Sequence, residues 1–319
     1  MKQVIIGIDT SCYTTSLAAV DTQGNILANE RQLLPVPKGQ AGLRQNEAFF
    51  IHVKQLPALF EKLAPVLKNT KIAGVCVSVS PTGKENSYMP VFLVGKMAAQ
   101  ALAMGAGASC MYTNHQAGHI EAAKIGTSIQ KEMPFLAFHL SGGTTDVLLC
   151  NGLDISKKGG SKDLHIGQLV DRTGVALGLG FPSGKELEEL AKKEQAQSSI
   201  PVSMAKDPLQ CHFSGAEAQI MRWIKEGVYS KERIAAEVYS FLSRSIFRLI
   251  QNHSKKWQTK QVLLAGGVAS SHLVREKIKA LVEKRDHSID VHFACPLLAG
   301  DNAVGVAMIG KNNLYKQEK

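Results

Sequence analysis

The chain has 319 residues, 45% of them hydrophobic and 20% charged, an ordinary globular composition with enough apolar material for two cores. No apolar run reaches the roughly 18 residues needed to cross a bilayer, and the opening MKQVIIGIDTS is interrupted at Asp9 too early for a secretory signal, so a cytoplasmic protein with no membrane contact is expected. A net charge of +10 favours a polyanionic partner such as RNA, and the six cysteines form no CxxC pair, which reads as free thiols in a reducing compartment and not as a cysteine zinc cluster.

In chain order, VIIGIDTS, TTSLAAVD and NILANERQLL predict three strands that meander through tight turns. A helical pattern follows from about 47 to 67, and Pro57 is expected to kink or divide it. KIAGVCVSV (71–79) predicts a buried strand, 90–104 a helix rich in small residues, and SCMYTNH (109–115) another strand. The pattern then repeats: FLAFHLSGG and TTDVLLCNG form a hairpin, and LDISKKGGS supplies a third strand. Helices are expected at about 167–178, 184–194, 214–226, 230–254, 270–284 and 299–311, with strands at 261–267 and 290–294. Two successive units of this kind imply an internal duplication and a two-domain α/β fold with mixed sheets meeting at a cleft. The first domain is expected over 1–130 together with a C-terminal helix at about 299–319, and the second over 131–298.

Two glycine-bearing or hydroxyl-bearing turns stand at matching places in the repeat. Asp9, Thr10 and Ser11 end the first strand, and Ser141-Gly142-Gly143-Thr144-Thr145-Asp146 follows the strand that opens the second half. Turns of this type let backbone amides approach a phosphate with no Cβ in the way, although each alone serves equally as a simple hairpin. Gly266-Gly267 lies between a strand and a helix and suits either a nucleotide or a tight connection. Asn114-His115-Gln116-Ala117-Gly118-His119 sets two imidazoles one helical turn apart, a spacing that can bring both onto one metal. A zinc protease would need a glutamate where Gln116 stands. Asp301, in GDNA, is a third ligand candidate or the N-cap of the last helix.

Taken together, NHxxGH, SGG, DRTGxxLGLGFPSG, FSG, LLAGGVASS and GDNA resemble, in content and order, the TsaD/Kae family of the actin/sugar-kinase/Hsp70 (ASKHA) superfamily, once described as glycoproteases. The resemblance covers essentially the whole chain. It implies a duplicated actin-like ATPase fold and transfer of a threonylcarbamoyl group from its AMP adduct to adenosine 37 of tRNA. It implies His115, His119 and Asp301 as ligands of iron or zinc. It also implies nucleotide contacts from Ser141, Gly142, Gly143, Thr144, Asp171, Gly184, Gly266, Gly267 and Ser271, with Mg²⁺ as a further candidate beside the phosphates. Its partners would be the tRNA anticodon arm and either TsaB- or TsaE-like proteins or a second copy of the chain.

The sequence also departs from that family. Tyr13 and Thr14 stand where an aspartate and a glutamate are usual, Thr144 stands for a histidine, and Ser271 for an asparagine. LPVPKGQAGLRQNEAFF and SPTGKENSYMPVF replace two further family segments. Asp9, Ser11, Tyr13 and Asp146 are the candidate catalytic residues that remain around the altered hairpin. The changes gather where acyl group and acceptor should meet, which points to a divergent paralogue with altered specificity. A non-catalytic TsaB-like partner and a small-molecule kinase or carbamoyltransferase are the competing readings. His52, His165, His253, His287 and His292 are expected to be satisfied or solvent-facing histidines, and Trp223 and Trp257 to pack helices.

Overall fold

A computed structural model describes residues 1–11, 13–35, 43–129, 133–152 and 154–315. Cys12, most of the LPVPKGQ segment and the end of the tail lie outside the described residues. The chain forms two compact units, one of Met1–Ile125 with Leu297–Lys319 and one of Gly126–Pro296.

The first unit opens with β1 (Lys2–Thr10), β2 (Thr14–Asp21) and β3 (Ile26–Leu33), an antiparallel meander. After α1 (Gln45–Leu67) comes β4 (Thr70–Ser78), which lies parallel to β1. Then α2 (Phe92–Ala106), β5 (Ser109–Thr113) and α3 (His115–Lys124) follow, and the sheet order is β3-β2-β1-β4-β5. Because β1 and β4 are covered on both faces, they read as continuous apolar runs without alternation. Val4, Ile6 and Ile8 meet Leu59 and Leu63 of α1 and Ala99 and Ala103 of α2 in one core. The expected break at Pro57 does not occur, and α1 runs through both Pro57 and Pro65. Proline removes one helical hydrogen bond, but burial of Leu59 and Leu63 in the core keeps the helix from dividing there.

The second unit repeats the plan. It contains β6 (Phe135–Leu140), β7 (Thr145–Asn151) and β8 (Asp154–Ser161), followed by α4 (Ile166–Ala176) and α5 (Gly184–Ala191). A two-residue strand β9 (Gln210–Cys211), too short to show in any periodicity, precedes α6 (Ser214–Glu226) and the largely buried α7 (Lys231–Trp257). Next come β10 (Gln261–Ala265), α8 (His272–Arg285) and β11 (Asp290–Phe293). Leaving out β9, the order β11-β10-β6-β7-β8 matches that of the first sheet strand for strand, antiparallel and parallel pairings included. The duplication read from the sequence is therefore physical.

The chain then returns to the first unit as α9 (Val304–Tyr315), which lies on the face of β1 and β4 opposite α1 and α2. The approach is close enough to require glycine: a Cβ at Gly7 would run into the carbonyl of Ala303. Among the described residues, no helix is long and apolar enough to cross a membrane.

Candidate metal centre and nucleotide cavity

Asn114 starts α3 by accepting a hydrogen bond from the Ala117 amide at 2.9 Å, which fixes where the helical register begins. His115 and His119 then fall on one face, one turn apart. Where α3 crosses α9, Gly118 and Gly305 let the backbones touch, for a Cβ at Gly305 would run into the Gly118 carbonyl. Asp301 is not the cap of α9. That role belongs to Asn302, whose side chain accepts from the Val304 amide at 3.0 Å and donates to the carbonyls of Leu298 and Gly300. With the capping done by its neighbour, the Asp301 carboxylate is left to face the histidines.

His119 Nε2 lies 3.0 Å from Asp301 Oδ1 and 3.0 Å from His115 Nε2, and His115 Nε2 lies 3.7 Å from the same oxygen. Two donors each about 2.1 Å from a tetrahedral zinc ion stand roughly 3.4 Å apart, so these separations bracket what one such ion requires. Among the described residues, His115, His119 and Asp301 are the group able to hold a metal. Behind them, His115 Nδ1 donates to both oxygens of Asp9, each at 3.1 Å, which turns the Nε2 lone pair toward the shared point. Asp9 is fully buried at the end of β1. Burial opposes its charge, yet the charge and hydrogen bond of His115 hold its carboxyl below the usual carboxylate range. Burial likewise works against the His115 cation, but Asp9 and Asp301 push its pKa up to about 9. For Asp301, burial is outweighed by the His119 hydrogen bond and the charges of both histidines, and its carboxyl too is held low. The pocket stabilises positive charge, and the donor set fits a divalent ion.

The first hairpin contributes hydroxyl groups. Thr14 Oγ1 donates to Asp301 Oδ2 at 3.1 Å and Ser11 Oγ at 3.4 Å. The buried His52 is satisfied, as expected, by the Ser11 carbonyl at 2.8 Å and Thr15 Oγ1 at 2.7 Å, and Gln55 also meets Thr15 at 2.7 Å. Tyr13 is half exposed at the tip. Asp146 belongs to the other unit, where Lys157 pairs with it at 2.6 Å. The four candidate catalytic residues thus separate: Asp9 and Ser11 hydrogen-bond to members of the His115, His119 and Asp301 cluster, Tyr13 faces solvent, and Asp146 has its own lysine. The Thr14, His52 and Gln55 contacts escaped sequence reasoning because they depend on pairings distant along the chain, and the Asn302 bonds escaped it because Asp301 beside it is as eligible by residue type.

In the second unit a cavity of about 620 Å³ is lined by Gly142, Asp171, Gly184, Gly267 and Ser271 together with Glu188. Other residues of the expected nucleotide set shape the backbone around these. The Ser141 amide donates to the Thr144 carbonyl at 2.9 Å, closing the turn that contains Gly142 and Gly143. Gly266, at φ +97°, packs so tightly that a Cβ would strike the Leu140 carbonyl. Asp171 accepts from the Ser183 amide at 2.9 Å, and Tyr239 donates to the Gly184 carbonyl at 2.8 Å. Ser271 caps α8 by accepting from Val274. A 3₁₀ turn, Val268–Ser270, separates the glycines from that helix.

A family model for TsaD, tRNA N6-adenosine threonylcarbamoyltransferase, matches residues 42–309. Curated proteins of the same name from Persephonella marina and Thermococcus sibiricus are 29% and 30% identical to this chain, covering 99% and 98% of it and 90% and 91% of their own lengths. Among solved structures, full-length HypF in its phosphate- and nucleotide-bound form superposes with a TM-score of 0.63 at 13% identity, over 98% of this chain and 46% of that one. The ROK hexokinase from Thermus thermophilus gives a TM-score of 0.56 at 13% identity over 100% of both chains. At such identities the structural likeness speaks for the fold alone, the two-sheet actin-like ATPase architecture. The relatives and the family match together establish that this chain belongs to the TsaD, or tRNA N6-adenosine threonylcarbamoyltransferase, family.

Proposed function

We propose that the protein transfers an aminoacyl-carbamoyl group, threonylcarbamoyl or a close relative, from its AMP adduct to N6 of adenosine 37 in the tRNA anticodon arm. The observation that carries this reading is the convergence of His115, His119 and Asp301, with Asp9 orienting His115, in a chain that matches the family nearly end to end. A divalent metal held by those three residues, iron or zinc by the donor types, would supply a Lewis acid and a template for the carbamoyl group. Asp9 keeps the Nδ1 proton of His115, so that Nε2 remains a ligand. In the second unit, Gly142 and Gly267 allow backbone amides close to a phosphate, and Asp171 and Glu188 offer acceptors for ribose hydroxyls. In the transfer, the bond from adenine N6 to the carbamoyl carbon forms, the bond from that carbon to the AMP oxygen breaks, AMP leaves, and the proton lost from N6 passes to the departing phosphate or to water.

Neither Tyr13 nor Thr14 can act as a carboxylate base, and Asp9 is committed to His115 and Asp146 to Lys157. That pattern supports a changed acyl or acceptor specificity built on a preserved metal and nucleotide framework. The test is the modified-nucleoside profile of tRNA, by liquid chromatography and mass spectrometry, from cells with and without the gene. Loss of an N6-carbamoylated adenosine supports the proposal, and its mass identifies the amino acid. An unchanged profile sinks it in favour of a partner protein or a small-molecule enzyme.

A further inference from the structure

Asp301 offers Oδ1 to the histidines and spends Oδ2 on the first hairpin, where Thr14 Oγ1 and Ser11 Oγ both donate to it. A carboxylate held by one oxygen can still turn about its last side-chain bond. Two hydroxyls on the other oxygen stop that rotation and aim Oδ1 at the point where the imidazoles converge. We propose that Thr14 and Ser11 are positioning residues for the metal carboxylate, and that the hydroxyl at position 14 tunes how firmly this protein holds its metal. This inference rests on the metal reading above.

The hairpin is itself held from two sides. The Tyr13 carbonyl accepts from the Leu34 amide at 2.8 Å, and Thr15 pairs with Thr10 in the β1–β2 register. From α1, His52 binds the Ser11 carbonyl and the Thr15 hydroxyl, and Gln55 bridges from Thr15 to the Leu33 carbonyl at 3.1 Å. Thr14 and Ser11 are almost wholly buried, so water competes little for their protons. A support of this kind, rigid and hydrogen-bonded behind a ligand, is what metal affinity depends on beyond the ligands themselves. The chemistry also requires an uncharged donor. The carboxylate can only accept, so a hydroxyl at position 14 satisfies it, whereas a glutamate would set a second negative charge against Oδ2 and donate nothing.

The test uses the full chain and Zn²⁺ alone, with affinity measured by competition against a fluorescent chelator. Thr14→Val keeps the shape of the side chain and removes the hydroxyl, and affinity should fall about tenfold or more. Thr14→Ser restores the donor and should return affinity to within about twofold of wild type, a rescue that a merely structural role for Thr14 would not produce. Ser11→Ala should cost less, since its contact is longer, and Thr14→Glu should also weaken binding. In excess chelator Thr14→Val should melt a few degrees below wild type, having lost its hydrogen bond to Asp301, and Thr14→Ser close to wild type, so affinities are compared well below both transitions. If Thr14→Val does not fold, Ser11→Ala and Thr14→Glu decide the matter. Zn²⁺ held equally by the wild type and every hairpin variant, with His119→Ala unable to bind it, overturns the proposal and leaves the metal reading intact. Binding unaffected by His119→Ala overturns both.

Discussion

The crossing of α3 and α9 brings His115, His119 and Asp301, the proposed metal ligands, together, and Gly305→Ala tests that dependence directly. A Cβ at Gly305 would run into the Gly118 carbonyl and stand 2.6 Å from the Ala122 amide nitrogen. Ordinary contact needs about 3.5 Å, so α9 must move at least about 1 Å away from α3. Overpacking of this kind costs about 1–3 kcal/mol. At about 2–4 °C per kcal/mol for a unit near 150 residues, the melting temperature should fall by roughly 3–10 °C. Asp301 precedes Gly305 on the same segment and travels with it, so its 3.0 Å approach to His119 should open toward 4 Å, beyond what two ligands of one tetrahedral zinc ion span. Calorimetry in chelator and a Zn²⁺ titration measure the two effects separately. The control is Gly105→Ala on α2, where a Cβ meets nothing within 4 Å and a gain of about 0.5–1 kcal/mol is expected. A Gly305→Ala protein with wild-type melting temperature and wild-type Zn²⁺ affinity would refute the argument.

Three other outcomes are expected. Asp9→Ala should weaken Zn²⁺ binding by about 10–100-fold, because it frees the His115 ring and leaves its Nδ1 proton without an acceptor; wild-type affinity would remove Asp9 from the account. Gly266→Ala should reduce binding of AMP or ADP, seen by calorimetry, since its φ of +97° and the Leu140 carbonyl both exclude a side chain. Unchanged nucleotide affinity would show that the Gly266–Gly267 turn does not shape the cavity. The third concerns acid. Burial opposes ionisation of Asp163, but the Ser214 hydroxyl and the amides of Phe213, Leu164 and Ser214 outweigh it and hold its carboxyl well below the ordinary value of 3.8. A depressed carboxylate contributes stability that is present above the unfolded pKa and lost as pH falls through the folded one. In urea unfolding, Asp163→Ala should therefore lag wild type near neutral pH, with the gap closing as pH drops below about 4. A gap that does not change with pH would contradict this.

The duplicated succession of strands and helices could be read from the sequence because the central strands, such as β1, β4, β6 and β10, are buried and appear as apolar runs. The candidate trio His115, His119 and Asp301, which the structure brings together, was legible because the two histidines share a helical period and GDNA completes a motif set. What stayed hidden is the support around them. Whether Asp301 caps a helix or faces a metal turns on whether Asn302 takes the cap, and both side chains are eligible by residue type. Pro57 misled because its local cost is visible in the sequence, whereas the burial of Leu59 and Leu63 that offsets it is not. Asp9 and Asp146 looked like interchangeable free carboxylates until partners 106 positions away for the one and on a neighbouring strand for the other were in place.

The late position of Asp301 also sets a timetable. Its partner His119 lies 182 positions earlier, and at about 5–20 residues per second a ribosome takes roughly ten to forty seconds to go from one to the other. In that interval the whole second unit is synthesised, while the β1 and β4 face that α9 will cover remains bare. A nascent chain can thus present two histidines to passing metal ions but cannot close around one. On the proposed reading, the three-residue site can close only once Asp301 has been made.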